Sequence, residues 1–354
     1  MISLAIHWNV DPVIVHVGTI GLRIFGVGCI LAMLYVAIRA MRESKKDDKK
    51  GKKGKGKEEK KLSDALSVAL IPLALAIICF IVDGIDLRYY SFGFLLAFLF
   101  SYFVLYYMFK RENVKTNLLD TLTVWIFLAV LIGARLGHCF FYQPDYFLTS
   151  DHWLEIILPF DMQTGKFTGY EGLASHGAAF AILFTIWLYC RKFKVNAWWL
   201  LDRLVMVVAL AGMFIRLGNL FNSEIYGVET SLPWGFVFER NHETVAKHPT
   251  QLYEAFSYLL IFFGCLWAYL RKDAKLHNGR VFGWWLVALW GVRFLIEFIK
   301  EEQVDFEKGM TLDMGQLLSI PFIIGGVVFV VLSYKGKLKE GIYTTPDGKA
   351  PVLD

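Results

Sequence analysis

Nine stretches of this chain are apolar for long enough to cross a lipid bilayer: about 14–40, 64–82, 90–109, 118–141, 174–190, 198–215, 251–270, 281–298 and 314–334. A bilayer offers no water to a bare backbone, so segments of this kind close their hydrogen bonds as helices or as a closed barrel. Barrel strands would be about ten residues long and would alternate apolar with polar side chains, and these runs do neither. The expected fold is an all-α, polytopic transmembrane bundle of about nine helices. Composition agrees, with 56% of residues hydrophobic, 16% aromatic and only 19% charged, too apolar for a soluble globule of 354 residues.

Lys and Arg follow the topology. With the N-terminus outside, the segments 41–64, 110–117, 191–199, 271–280 and 335–354 face the cytoplasm and hold 25 Lys and Arg, against 7 in the outward segments. Cytoplasmic loops carry this excess, so the sequence predicts an outside N-terminus and a cytoplasmic C-terminus. The net charge of +5 thus reports topology and gives no reason to invoke nucleic acid. No cleavable signal peptide is read in Met1 to Val13, which lacks a basic start and a small-residue cleavage pattern. Cys29, Cys79, Cys139, Cys190 and Cys265 each lie in or beside an apolar run with no C-x-x-C pair. They read as buried small hydrophobes, with no disulfide framework and no metal site. The charged, Gly-punctuated run 42–61 cannot bury a face and is expected to be disordered. The outward regions 142–174 and 216–250 carry Gly, Pro and aromatic residues and are expected to form a small head over the bundle.

The sharpest anomaly is Met213 to Gly227. The nearly uncharged run Leu204 to Ile215 gives way within nine positions to Arg216, Asn219, Asn222 and Glu224. A guanidinium, two amides and a carboxylate at a membrane boundary are costly unless something polar binds there; the stretch reads as a lipid-headgroup site. Other polar residues gather near outer helix ends under the same topology. Arg135 and His138 lie in Gly133–Ala134–Arg135–Leu136–Gly137–His138, where Arg135 also reads as a snorkelling interface residue. His176 opens the fifth helix with Ser175 as its N-cap. His248–Pro249–Thr250–Gln251–Leu252–Tyr253–Glu254 starts the seventh, where Pro249, Gln251 and Glu254 suit a capped first turn. Arg293 and Glu297 are i, i+4 on one face and are expected to pair. Asp202 and Arg203 sit at the inner end and read as structural. The stretch Gly21 to Gly26 resembles Asp86 to Ser91, which is either a partial duplication or a coincidence of apolar sequence. A transporter of an anionic amphiphile is the alternative class, and it would place charges near helix midpoints.

From about Arg88 to Tyr334 the chain resembles the prolipoprotein diacylglyceryl transferase family. The most specific piece is Arg216 to Gly227. The runs at 133–138, 175–177 and 248–255 match in order, as do those at 293–298 and 314–321. Departures are Ser223 and Ala178, each where the family usually has Gly, and Ser91 after the aromatic-Tyr pair. Family members usually have seven helices. The resemblance therefore implies an extra N-terminal hairpin over 1–86, a transferase membrane domain over 87–335 and a cytoplasmic tail over 336–354.

The implied reaction moves the diacylglyceryl group of phosphatidylglycerol to the lipobox cysteine thiol of a prolipoprotein signal peptide, in the bacterial inner membrane. A thioether forms and glycerol phosphate leaves. A cysteine thiol is only a few per cent ionised at neutral pH, so a base is useful. A guanidinium suits the departing phosphate better than an ammonium does. On the resemblance, Arg216 binds phosphate, Arg293 oriented by Glu297 is the second cation, and Asn219, Asn222 and Glu224 hold glycerol hydroxyls. Gly227, Arg135 and His248 complete the lipid site. His176 is the expected base, with Tyr90, Glu224 or a thiolate assisted by a nearby cation as alternatives. No cofactor is required.

Overall fold

Small residues decide which helices of this chain can touch. The computed structural model describes residues 5–48, 84–148, 152–158, 161, 172, 174–271, 277–301, 312–345 and 348. The chain divides into two units, one of Met1–Pro12, Arg88–Thr149 and Gly172–Asp354, the other of Val13–Leu87 and Ser150–Glu171.

The larger unit holds β1 (Ile6–Trp8), α2 (Tyr89–Arg111), α3 (Thr116–Phe141), the single turn α4 (Pro144–Phe147), α5 (Ser175–Phe193), α6 (Ala197–Phe221), β4 (Phe236–Phe238), α7 (Thr250–Leu270), α8 (Arg280–Glu297) and α9 (Met314–Tyr334). The smaller unit holds β2 (Val13–Gly18), α1 (Thr19–Asp48) and all but the last residue of β3 (Gly84–Arg88), which pairs with β2. There His16 Nδ1 meets Asp86 Oδ1 at 2.6 Å.

By length and composition α2, α3, α6, α7 and α9 can cross a membrane, and the protein is a multi-pass helical membrane protein. Helices α5 and α8 run to 19 and 18 residues, but Ser175, His176, Arg191 and Lys192, or Arg280, Arg293 and Glu297, dilute their apolar character. The segment 64–82 lies outside the described residues. Helix α1 differs from expectation twice. It begins after a strand, and it runs to Asp48, into the run expected to be disordered. Glu, Lys and Arg are good helix formers, so an apolar helix can propagate into charged sequence.

Antiparallel neighbours are set by close contacts. Gly133 and Gly137, one helical turn apart on α3, face Gly177 on α5. A Cβ at Gly137 or at Gly177 would lie 2.7 Å from the other residue's Cα. This is the small-residue packing that lets membrane helices approach backbone to backbone. Helix α2 packs on α6, α6 on α7, and α8 on α9.

At the end where α2 finishes and α6 begins, Glu112 collects Trp199 Nε1 at 2.6 Å, Arg203 Nε at 3.0 Å, Arg203 Nη2 at 2.8 Å and the Tyr269 hydroxyl at 2.8 Å. One carboxylate thus ties α2, α6 and α7. Asp202 accepts the backbone N–H groups of Gly279 and Phe282, both at 2.8 Å, capping α8 from a neighbouring helix. Between this end and the opposite one lies an apolar core that includes Met108, Leu119, Leu200 and Met206.

Candidate functional site

Arg216, Asn219 and Asn222 follow one another at i, i+3 spacing where α6 ends, so they share a face. Two residues with positive φ, Ser223 at 54° and Ile225 at 60°, then fold the chain back. For a β-branched residue this conformation is an outlier, and it is held from α7. The Thr250 hydroxyl donates to the Ile225 carbonyl at 2.9 Å, and Gln251 Nε2 donates to the Glu224 carbonyl at 2.7 Å. The reversal brings Glu224 onto the asparagines. Its Oε1 accepts from Asn219 Nδ2 at 2.7 Å and from Asn222 Nδ2 at 3.2 Å.

Arg216 donates from Nη1 to Asn219 Oδ1 at 3.3 Å and sets Nε 2.5 Å from Glu254 Oε2. Glu254 is fully buried and lies also 3.6 Å from Lys300 Nζ. Lys300 in turn sits 3.4 Å from Glu297 Oε2. The expected Arg293–Glu297 ion pair is not formed: Glu297 pairs with Lys300, and Arg293 Nε is buried without a hydrogen-bond partner. The Tyr258 phenol lies within electrostatic reach of both Arg216 and Arg293. Tyr90, at the start of α2, covers Gly218, where a Cβ would come within 2.7 Å of its ring, and it lies in the field of Glu224 and Arg216. Gly227 donates its N–H to the His248 carbonyl at 2.8 Å and bridges to Lys300; it is a crossing point of backbones with no room for a side chain.

The side chains of the other expected residues stand apart from this network. His248 Nδ1 meets the Tyr253 hydroxyl at 3.2 Å, and that hydroxyl accepts from Trp234 Nε1 at 3.0 Å. Arg135 stacks over Phe147 at 4.8 Å, and His138 stacks on Tyr142 with centroids 5.9 Å apart. His176 is exposed on the first turn of α5 and makes no hydrogen bond or ion pair with another described residue. Its helix is capped by Ala174 without a side-chain bond, so the expected Ser175 cap is not the one used.

Sequence reasoning missed Glu254, Gln251 and Lys300. Gln251 and Glu254 had been accounted for as the capped start of α7, but that helix has no side-chain cap bond. The overlooked signal was Glu254 itself, a lone carboxylate on an otherwise apolar helix, and Lys300, three residues beyond Glu297. Above the site, Lys247 pairs with Glu301 and lies 3.5 Å from Glu243. Burial pushes the Lys247 ammonium down, but the two carboxylates together hold it above the usual lysine range.

Buried polar atoms without hydrogen-bond partners occur here. Ser223 Oγ, Gln251 Oε1 and Arg293 Nε have no hydrogen-bond partner, as is true of Arg280 Nε and Trp285 Nε1 elsewhere on α8, while the Glu254 oxygens face the Arg216 and Lys300 cations. Native proteins rarely leave such groups bare, so the cluster has the character of a place made for a polar ligand. Among the described residues no three of His, Cys, Asp and Glu converge to hold a metal ion. Two guanidiniums, an ammonium and paired amides at one end of an apolar bundle can bind a phosphate-bearing, hydroxylated headgroup whose tails remain in the membrane.

Fold and site together define a multi-pass helical membrane protein with a buried polar cluster at one end of its bundle. The family model described as prolipoprotein diacylglyceryl transferase matches residues 76–332. A phosphatidylglycerol–prolipoprotein diacylglyceryl transferase of Bacteroides fragilis is 44% identical over 72% of this chain and 92% of its own length. Relatives of the same name from Tolumonas auensis and Campylobacter jejuni are 39% and 31% identical, over 72% and 73% of this chain and 94% of their own lengths. The chain belongs to the prolipoprotein diacylglyceryl transferase family.

Proposed function

We propose that this protein transfers the diacylglyceryl group of phosphatidylglycerol to the cysteine thiol of a prolipoprotein lipobox. The thiolate sulfur attacks the glyceryl carbon that bears the phosphate. A carbon–sulfur bond forms, the carbon–oxygen bond breaks with its electrons, and glycerol phosphate departs while the thiol proton passes to a base. The observation that carries this reading is Arg216, fixed between buried Glu254 and Asn219 beside the amides that hold Glu224. A cation held in place by its own carboxylate is preorganised for a phosphate.

In this reading Arg216 and Arg293 offset the phosphate charge, with Lys300 behind them. Asn219, Asn222 and Glu224 hold the free glycerol hydroxyls, and Gly227 keeps the turn close to α7. Arg135 and His248 line the approach of the lipid. His176 is the candidate base, a reading its exposure on the first turn of α5 supports, with Tyr90 and Glu224 as the competing acceptors. The site end faces outward from the bacterial inner membrane, the N-terminus lies on the same side and the C-terminus is cytoplasmic, which the Lys and Arg bias of the loops supports.

The deciding experiment supplies purified protein with labelled phosphatidylglycerol and a lipobox peptide, with a Cys→Ser peptide as control. Wild type should label the cysteine peptide alone, and Arg216→Ala should insert in the membrane yet transfer nothing. Full transfer by Arg216→Ala would remove the assignment.

A further inference from the structure

The family model begins at residue 76, yet a segment 68 or more residues earlier is built into the larger unit. β1 pairs in parallel with β4, setting Ile6 against Phe236, His7 against Val237 and Trp8 against Phe238. Ile6 N–H donates to the Gly235 carbonyl at 2.8 Å, and His7 Nδ1 meets Glu239 Oε1 at 2.7 Å.

Trp8 then reaches the signature turn. Its indole N–H donates to the Leu220 carbonyl at 3.1 Å, the same carbonyl that takes the Ser223 N–H at 2.9 Å. Its ring lies against Phe221 at 5.7 Å and Phe236 at 5.5 Å. Phe221 is stacked in addition by Tyr89, at 4.2 Å and 13°, and Tyr89 N–H donates to the Pro12 carbonyl at 2.9 Å. Leu220 and Phe221 are the two residues between Asn219 and Asn222. The N-terminal strand therefore grips the piece of backbone that spaces the two amides holding Glu224. Trp8 also packs into the small head core of Leu220, Phe236 and Phe238.

We infer that residues 5–12 form a strut of the headgroup site and that Trp8 is a positioning residue for lipid binding. The inference rests on the reading of this site as the phosphatidylglycerol site. The indole supplies one directional bond and one flat face, and both act on the turn rather than on the lipid. Removing it should loosen the spacing of Asn219, Asn222 and Glu224 while the cations stay in place. Binding should suffer more than chemistry, because the loss falls on groups that hold the headgroup equally before and during transfer.

The test compares Trp8→Ala and Trp8→Phe with wild type in the full-length protein. It measures kcat, KM for phosphatidylglycerol, KM for the lipobox peptide, and hydrogen exchange at the Ser223 and Glu224 amides. Trp8→Ala should raise KM for phosphatidylglycerol about tenfold, the factor that corresponds to about 1.4 kcal/mol. It should leave kcat and the peptide KM unchanged and speed exchange at both amides. Trp8→Phe keeps a ring against Phe221 and should recover most of the exchange protection. Wild-type KM and wild-type exchange in Trp8→Ala would overturn the strut. Equal changes in both KM values would overturn the positioning role. Absence of transfer in wild type would instead sink the reading of the site, and the exchange data would then judge the strut alone.

Discussion

Ser223 concentrates two local costs in one residue. Its φ of 54° lies in the left-handed region, where an L side chain costs about 1–2 kcal/mol, and its hydroxyl is buried without a partner. Glycine removes both but costs about 0.5–1 kcal/mol in backbone entropy. Ser223→Gly should therefore stabilise the fold by about 1 kcal/mol, read as a higher thermal midpoint in detergent; a lower midpoint would refute it. The neighbouring carboxylates show the limit of reading single residues. Arg216, Asn219, Asn222 and Glu224 were legible because polar side chains interrupt an apolar run. Glu254 was not, since a Glu in the first turns of a helix has a sufficient local explanation, and only the tertiary fold shows it 2.5 Å from Arg216. Arg293 and Glu297 erred the other way. Their spacing permits a pair, but Lys300 reaches Glu297 instead, and i, i+4 geometry says nothing about a competitor from beyond the helix end.

For α2, α3 and α5 to α9 the helix boundaries were the most legible part of the chain, because each is a long apolar run whose ends are marked by polar or charged residues; α1 departs from its expected ends, and the expected span 64–82 lies outside the described residues. Helix contacts were not, and the α3–α5 pair shows why. The i, i+4 glycines Gly133 and Gly137 are visible in the sequence, but which helix they admit depends on Gly177. Gly177→Val should drive the two helices apart and abolish folded, monodisperse protein in size-exclusion chromatography. Gly264→Ala, on α7 where nothing lies within 4 Å of an added Cβ, should leave the yield intact or improve it, since alanine favours a helix by about 1 kcal/mol over glycine. Equal behaviour of the two variants would show that helix propensity, not close approach, sets the outcome. The short strands were illegible for a different reason: β1 and β4 have three residues each, and their pairing joins positions more than 200 apart.

For the molecule as a whole, polarity is divided between the two ends of an apolar bundle, and the two ends differ in kind. At one end Glu112 is fully engaged by Trp199, Arg203 and Tyr269. At the other, Gln251 and Arg293 carry atoms without hydrogen-bond partners beside the Arg216–Glu254 ion pair, although Arg280 Nε at the first end also has none. The first arrangement is structural and the second is suited to a ligand. Glu112→Ala strands the Arg203 guanidinium, whose side chain is 8% exposed. Breaking a buried pair in this way costs about 3–5 kcal/mol. The variant should lose thermal stability markedly while its KM for phosphatidylglycerol, measured at a temperature where it stays folded, matches wild type. A raised KM would mean that the two ends are coupled.

The bond from Tyr89 N–H to the Pro12 carbonyl also makes that point a port in the chain. Whatever lies between Val13 and Leu87 leaves the larger unit and returns to it at neighbouring atoms, so the backbone on either side is already closed without it. Chains tolerate extra domains where the two ends of the added piece meet, and loop closure becomes only slowly costlier with length. A fluorescent or affinity module with adjacent termini could be carried at this position, leaving the strand that holds the signature turn and the helix that covers it in their places.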